Sequence, residues 1–264
     1  MTNRGRFFRR WIGPSTALIA SVVAPWHLGI VAPSHHGAVA LSHRGTVAPW
    51  HLALPPQRLA LHTDDGVTLA ATWYEPSGRP APAVVLVHML QKSRRDWDQL
   101  ATRMAADGIA VLALDLRGHG ESQGSAQDHA GMVQDVRAAR RFAASRPDVT
   151  PAKIGIAGAS FGATLAALAS ADDATVAALA LLSPTVEYRG MRIDGALRKY
   201  GSRPLLLVAS DDDGYAMRTV KELQKGGAGR ELVILNRAGN GTSMLAADPD
   251  LGRRLVEWFR RTLL

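Results

Sequence analysis

Ile154-Gly155-Ile156-Ala157-Gly158-Ala159-Ser160-Phe161-Gly162 is the stretch that decides the fold. Ile154–Ala159 is a short apolar run with the length of a buried strand, and Ala163–Ser170 follows it with helical spacing. Between them stands Gly158-Ala-Ser160-Phe-Gly162. A serine on so tight a strand-to-helix turn has a strained backbone and crowded neighbours, so the positions two residues either side must be small. The turn lifts the hydroxyl above the sheet. It also aims a helix N-terminus at the negative charge that develops when that hydroxyl attacks a carbonyl. The rival reading is a glycine-rich β-α turn without chemistry.

Working outward, apolar runs alternate with helical patterns. The runs are Ala83–His88, Ala110–Asp115, Ile154–Ala159, Val176–Ser183, Leu205–Ser210 and Glu231–Leu235. Strands that are apolar throughout suit a parallel sheet covered on both faces. Trp97, Leu100 and Met104 share one helical face, which Gly108 ends. Met132, Val133, Val136, Ala139 and Ala143 share a second; Leu251, Leu255, Trp258 and Phe259 share the last, opened by Asp248 as N-cap and Pro249 at the first helical position. Ahead of these, Leu59–Thr63 and Val67–Tyr74 flank Asp64-Asp65-Gly66 and read as a hairpin. The expected class is α/β: a mostly parallel sheet with helices on both faces and an antiparallel N-terminal hairpin.

Residues 1–57 differ from the rest. Residues 1–60 hold six arginines and no acid, whereas residues 61–264 hold 25 Lys and Arg against 23 acids. The net charge of +8 therefore sits in a leader and not in a basic groove, which argues against a nucleic-acid partner. Arg4, Arg6, Arg9 and Arg10 precede the apolar run Trp11–Ala32, which Pro14 and Pro25 interrupt. This order resembles an export signal, with Ala38-Val39-Ala40 as a small-residue cleavage site. A disordered tail, or sequence upstream of the true start, is the alternative. A stable membrane span is not expected from a run so broken. Val23–Leu28 recurs as Val47–Leu52, a local duplication too short to build a solenoid. The expected division is a leader over 1–57 and one domain over 58–264. The absence of cysteine excludes disulfides, thiolate metal sites and a cysteine nucleophile. The leader histidines match no metal-ligand spacing, and nothing in the sequence calls for a cofactor or a metal.

Residues 58–264 resemble an α/β-hydrolase of the bacterial serine esterase and dienelactone-hydrolase-like type. The motifs agree in order: Val87-His88-Met89-Leu90 after the third strand, Asp115-Leu-Arg-Gly-His-Gly-Glu-Ser122 after the fourth, the Ser160 turn, and Leu205–Asp213 where the acid belongs. The resemblance implies Ser160 as nucleophile. It implies an oxyanion hole from the N–H of Phe161 and that of Leu90, with Met89 as the alternative. Met89 replaces the family's glycine. Among Asp211, Asp212 and Asp213 the family's spacing favours Asp213, leaving the first two as a solvated turn. His88 and His119 are expected to be structural. About 20 residues separate Pro184 from Pro204, enough for one small helix over Tyr188–Tyr200 but not for a cap domain.

The base is the departure. Where the family has a histidine before the final helix, this chain reads Arg237-Ala-Gly239-Asn240-Gly241-Thr, and no histidine follows His129. An amide cannot take up and hold the serine proton near neutral pH. Three expectations follow. The chain is a serine-hydrolase-type protein for small carboxylic esters or thioesters, weakened at Asn240. Alternatively, it is a pseudoenzyme that binds a small ester-like ligand or a protein partner through the old pocket. The third is a working hydrolase whose base is His88, His119 or His129.

Overall fold

The computed structural model describes residues 54–264. Residues 1–53, with the duplication and the leader histidines up to His51, lie outside them. In chain order the elements begin with β1 (Gln57–His62), β2 (Thr68–Tyr74), β3 (Ala81–Val87), a single 3-10 turn at Arg94–Trp97, α1 (Asp98–Ala106) and β4 (Ala110–Leu114). Then come α2 (His129–Ser145), β5 (Val149–Ala159), α3 (Phe161–Ser170), β6 (Val176–Leu182), β7 (Glu187–Tyr188), β8 (Met191–Arg192) and α4 (Asp194–Tyr200). β9 (Leu205–Ser210), α5 (Gly214–Gln224), β10 (Arg230–Leu235), α6 (Ser243–Ala247) and α7 (Pro249–Leu263) complete the domain.

Eight strands form one sheet in the order β1-β2-β4-β3-β5-β6-β9-β10. β1 and β2 pair antiparallel around Gly66, which carries a φ of 81° in the turn, and β2 meets β4 antiparallel. From β4 through β3, β5, β6 and β9 to β10 every pair is parallel. β3 shows why its run is apolar without a break: all seven residues are buried, with Val85 and Val87 in the core shared with α2, α3 and α5, and Val84 and Leu86 in the core shared with α1 and α7. Asp248 caps α7 through its side chain, which accepts from Asp250 N at 2.9 Å, and Pro249 opens the helix.

Three features differ from the sequence expectation. β5 begins at Val149, five residues early, because Ala81 pairs with Val149 before a register shift at Ala83. α5 was not anticipated as a helix. The segment before Pro204 forms the small β7–β8 hairpin as well as one helix, α4. Among the described residues no helix is long and apolar enough to cross a membrane.

Candidate active site

Ser160 stands between β5 and α3 at φ 51° and ψ −115°, a region that L-residues avoid. Its N–H donates to Leu182 O at 2.8 Å, and its carbonyl accepts from Ala163 N at 2.9 Å. The flanking glycines are obligatory. A Cβ on Gly158 would overlap the Gly162 carbonyl, and one on Gly162 would overlap the carbonyls of Val87 and His88. The turn is thus wedged against the end of β3. Phe161 is the first residue of α3, so its N–H has no acceptor within the helix.

His88 fixes the β3 loop. It is fully buried; its Nε2 accepts from Leu116 N at 3.0 Å and its Nδ1 donates to Met89 O at 2.7 Å. Burial pushes its pKa down to about 4, so the ring is neutral. With both nitrogens engaged it has no lone pair left to serve Ser160. His119 lies beside it, the rings tilted by 55° with centroids 5.2 Å apart, and turns its Nδ1 to Arg117 O. The Met89 and Leu90 N–H groups make no hydrogen bond among the described residues. Met89 also meets the loop before α6, because the Thr242 hydroxyl lies 3.4 Å from its sulfur.

The loop carrying Asn240 is held by its backbone. Five consecutive N–H groups donate to five side chains: Arg237 to Asp211 Oδ1 at 2.7 Å, Ala238 to Ser210 Oγ at 2.7 Å, Gly239 to Asp212 Oδ1 at 3.1 Å, Asn240 to Ser243 Oγ at 3.2 Å, and Gly241 to Ser183 Oγ at 3.0 Å. Thr242 Oγ1 then donates to Asp96 Oδ2 at 2.8 Å. Asp211 and Asp212 are therefore not a merely solvated turn. They organise the loop on which residue 240 sits. Asp213 does two things: Oδ1 accepts from Ala216 N at 3.0 Å and caps α5, while Oδ2 accepts from Asn240 Nδ2 at 2.7 Å. The loop reaches Ser160, since a Cβ on Gly241 would lie 3.5 Å from Ser160 Cβ and 2.8 Å from Met89 Sδ. Gly241 thus lies beside both Ser160 and Met89, and the residue before it, Asn240, holds Asp213.

Two buried arginines beneath this edge escaped the sequence reading. Arg94 pairs with Asp115, donates from Nε to Thr72 Oγ1 at 3.0 Å and from Nη2 to Glu121 Oε2 at 2.9 Å. It locks the β3 loop to the β4 loop. Arg117 is 2% exposed and joins Asp135, which is fully buried, with Asp65 and Asp128. Hydrogen bonds from Arg117 and Thr63 hold the Asp65 carboxyl down to about 2. No local pattern announces such hubs, since Arg117 and Asp65 are 52 residues apart. His129, the third histidine, opens α2 and sets its ring edge-on to Phe161 with centroids 5.3 Å apart. Among the described residues no group of His, Asp and Glu is placed to hold a metal ion.

The comparisons agree with this architecture. An uncharacterized protein of Mycobacterium tuberculosis, Rv2307c, is 29% identical over 228 residues, covering 78% of either chain. A dienelactone hydrolase from Anabaena variabilis superposes with a TM-score of 0.66 at 20% identity, over 79% of this chain and 99% of that one. The Pyrococcus furiosus esterase Pf2001 superposes with a TM-score of 0.65 at 17% identity, over 80% and 92%. At such identities the two structures speak for the fold alone. The family model described as serine aminopeptidase, S33, matches residues 78–224, more than half of the chain. With its mostly parallel sheet, the chain belongs to this family and is a hydrolase of the α/β type.

Proposed function

We propose that this protein acts on small carboxylic esters or thioesters through Ser160, and that Asn240 makes its turnover slow. The observation that carries the reading is the strained Ser160 turn at the start of α3, with the Asp213–Asn240 pair on the adjoining loops. Ser160 Oγ attacks the carbonyl carbon, the C–O or C–S bond to the leaving group breaks, and an acyl-Ser160 ester forms. Water then releases the acid. The N–H groups of Phe161 and of Leu90 or Met89 face the oxygen that becomes negative in both steps. Both steps also need an acceptor for a proton, and an amide at 240 cannot act as one. Solvent must take that part, so acylation requires a good leaving group and the acyl group lingers on the serine.

On this reading the names of the esterase and dienelactone hydrolase among the similar structures favour a small-molecule substrate, and among the described residues no cap domain stands over the site. The buried, doubly bonded His88 speaks against a substitute base there. Intact-mass measurement after incubation with p-nitrophenyl acetate tests the reading. An acetyl adduct that forms slowly, persists, and is absent in Ser160→Ala is expected. If no adduct forms, and a fluorophosphonate also leaves Ser160 unlabelled, the pocket serves binding and not turnover.

A further inference from the structure

The chain contains three asparagines, and Asn240 is the one followed by glycine. That pair is chemically labile. Asparagine is among the thermolabile residues, and a glycine nitrogen has no side chain beside it to hinder its approach to the preceding amide. The structure explains why the pair stands here. Ser243 N donates to Asn240 O at 3.2 Å and closes a tight turn, with Gly241 at φ 57° and Thr242 at φ −68°. A Cβ at 241 would be strained at that φ and would meet Met89 Sδ at 2.8 Å. The loop therefore demands glycine at 241, and asparagine at 240 gives that glycine a reactive neighbour.

The same loop restrains the reaction. Gly241 is buried, and its N–H donates at 3.0 Å to the Oγ of Ser183, a fully buried residue. The nitrogen must lose that proton before it can attack. Asn240 is half-buried; its Nδ2 donates to Asp213 at 2.7 Å and its backbone N–H to Ser243 Oγ at 3.2 Å. Asp213 is in turn tied to α5 through Ala216 N at 3.0 Å. Attack on the Asn240 Cγ thus requires a local opening that frees the Gly241 N–H from Ser183.

We propose that Asn240 is a deamidation site whose rate is set by release of the Gly241 N–H from Ser183. In the open loop the Gly241 nitrogen bonds to Asn240 Cγ, and the Cγ–Nδ2 bond breaks. Solvent carries the proton from the Gly241 nitrogen to Nδ2, which leaves as ammonia. Water then opens the succinimide ring to aspartate or isoaspartate at position 240, and no other reactant is needed. The product sets a carboxylate against Asp213 in place of a donor, and two carboxylates so close resist joint ionisation. Deamidation is therefore a one-way change in the loop, and it does not depend on what Ser160 does.

Incubation of the full chain in mildly alkaline buffer tests the idea. Conversion is read on the tryptic peptide Ala238–Arg253, with isoaspartyl methyltransferase marking the isoaspartate, and hydrogen exchange of the Gly241 amide is followed by NMR. The folded chain is expected to convert at Asn240 at least tenfold more slowly than the same chain in guanidinium chloride. Ser183→Ala should raise folded-state conversion and Gly241 exchange by a common factor, at least about threefold, as loss of a buried hydrogen bond implies. Ser243→Ala, at an exposed position, loosens the turn without touching the core and should raise both in the same way, so the test stands even if Ser183→Ala does not fold. Faster Gly241 exchange without faster conversion would overturn the proposal. So would unchanged rates in both variants, equal conversion of the folded and unfolded wild type, or conversion at Asn236 in place of Asn240.

Discussion

Asn240→His should restore what the site lacks, and the geometry says how. The asparagine Nδ2 and the histidine Nδ1 are attached at the same point, one bond beyond Cγ. The observed 2.7 Å bond from Asn240 Nδ2 to Asp213 Oδ2 is therefore the one an imidazole Nδ1–H would make. The added atom is Nε2, one ring width further out, and position 240 is only half-buried. In subtilisin, which is the reference case and a different fold, removing the histidine costs about 10⁶ in turnover. That sets the ceiling on recovery. Partial recovery of about 10³ corresponds to ~4 kcal/mol of transition-state stabilisation. Met89 beside Gly241 is the reason to expect less than the ceiling, because a misplaced oxyanion donor costs about 10²–10³. The assay is steady-state hydrolysis of p-nitrophenyl acetate across pH, with an ascending limb near about 6–7. Asp213→Asn in the Asn240→His background should remove most of the gain, since the acid sets the tautomer and stabilises the imidazolium. Ser160→Ala should remove all of it. A well-folded Asn240→His protein that gains less than tenfold refutes the reasoning.

Three further outcomes concern the scaffold. Gly162→Ala should cost at least about 1–3 kcal/mol in urea unfolding, because its Cβ meets the rigid carbonyls of Val87 and His88; an unchanged midpoint would show the turn to be looser than described. Arg117→Met strands the buried Asp135 and should cost about 3–5 kcal/mol, whereas Arg95→Met at an exposed pair with Glu121 should cost under about 1 kcal/mol. His88 titrates near 6.5 when unfolded and near 4 when folded, so between those values the unfolded chain holds the extra proton. Its contribution is complete above pH 6.5 and is lost as pH falls toward 4, about 2–3 kcal/mol by pH 4.5. Asp65 acts lower, its contribution being complete above its unfolded value of 3.8 and lost as pH falls through about 2. Denaturant midpoints of the wild type and His88→Gln at pH 7.5 and 4.5 check this, and a fall of equal size in both would exclude His88 as the cause.

The parts legible in the sequence are those whose cause is local. The parallel strands were readable to within a residue or two because burial on both faces makes them apolar throughout, as in β3, β6 and β9. β5 was readable only from Ile154, since Thr150–Lys153 is partly exposed and contains Pro151. α5 was missed although Asp213 and the spacing Ala216, Val220 and Leu223 announce a capped amphipathic helix; the run of three aspartates drew the reading toward chemistry. Arg94 and Arg117 were illegible for another reason. Each looks like an ordinary surface cation, and only the meeting of loops far apart in sequence turns it into a buried hub.

The same contrast bears on what Asn240 means. Positions 237–241 are fixed by backbone N–H bonds to Ser183, Ser210, Asp211, Asp212 and Ser243, and none of these consults the side chain at 240. The loop would take the same path with histidine there. Asn240 in turn keeps the one side-chain bond that a histidine would make to Asp213. On the proposed reading, then, the departure is chemical and not structural. It removes the proton acceptor while leaving the serine and the acid in place, which is the condition under which a slowly released acyl group on Ser160 can be observed at all.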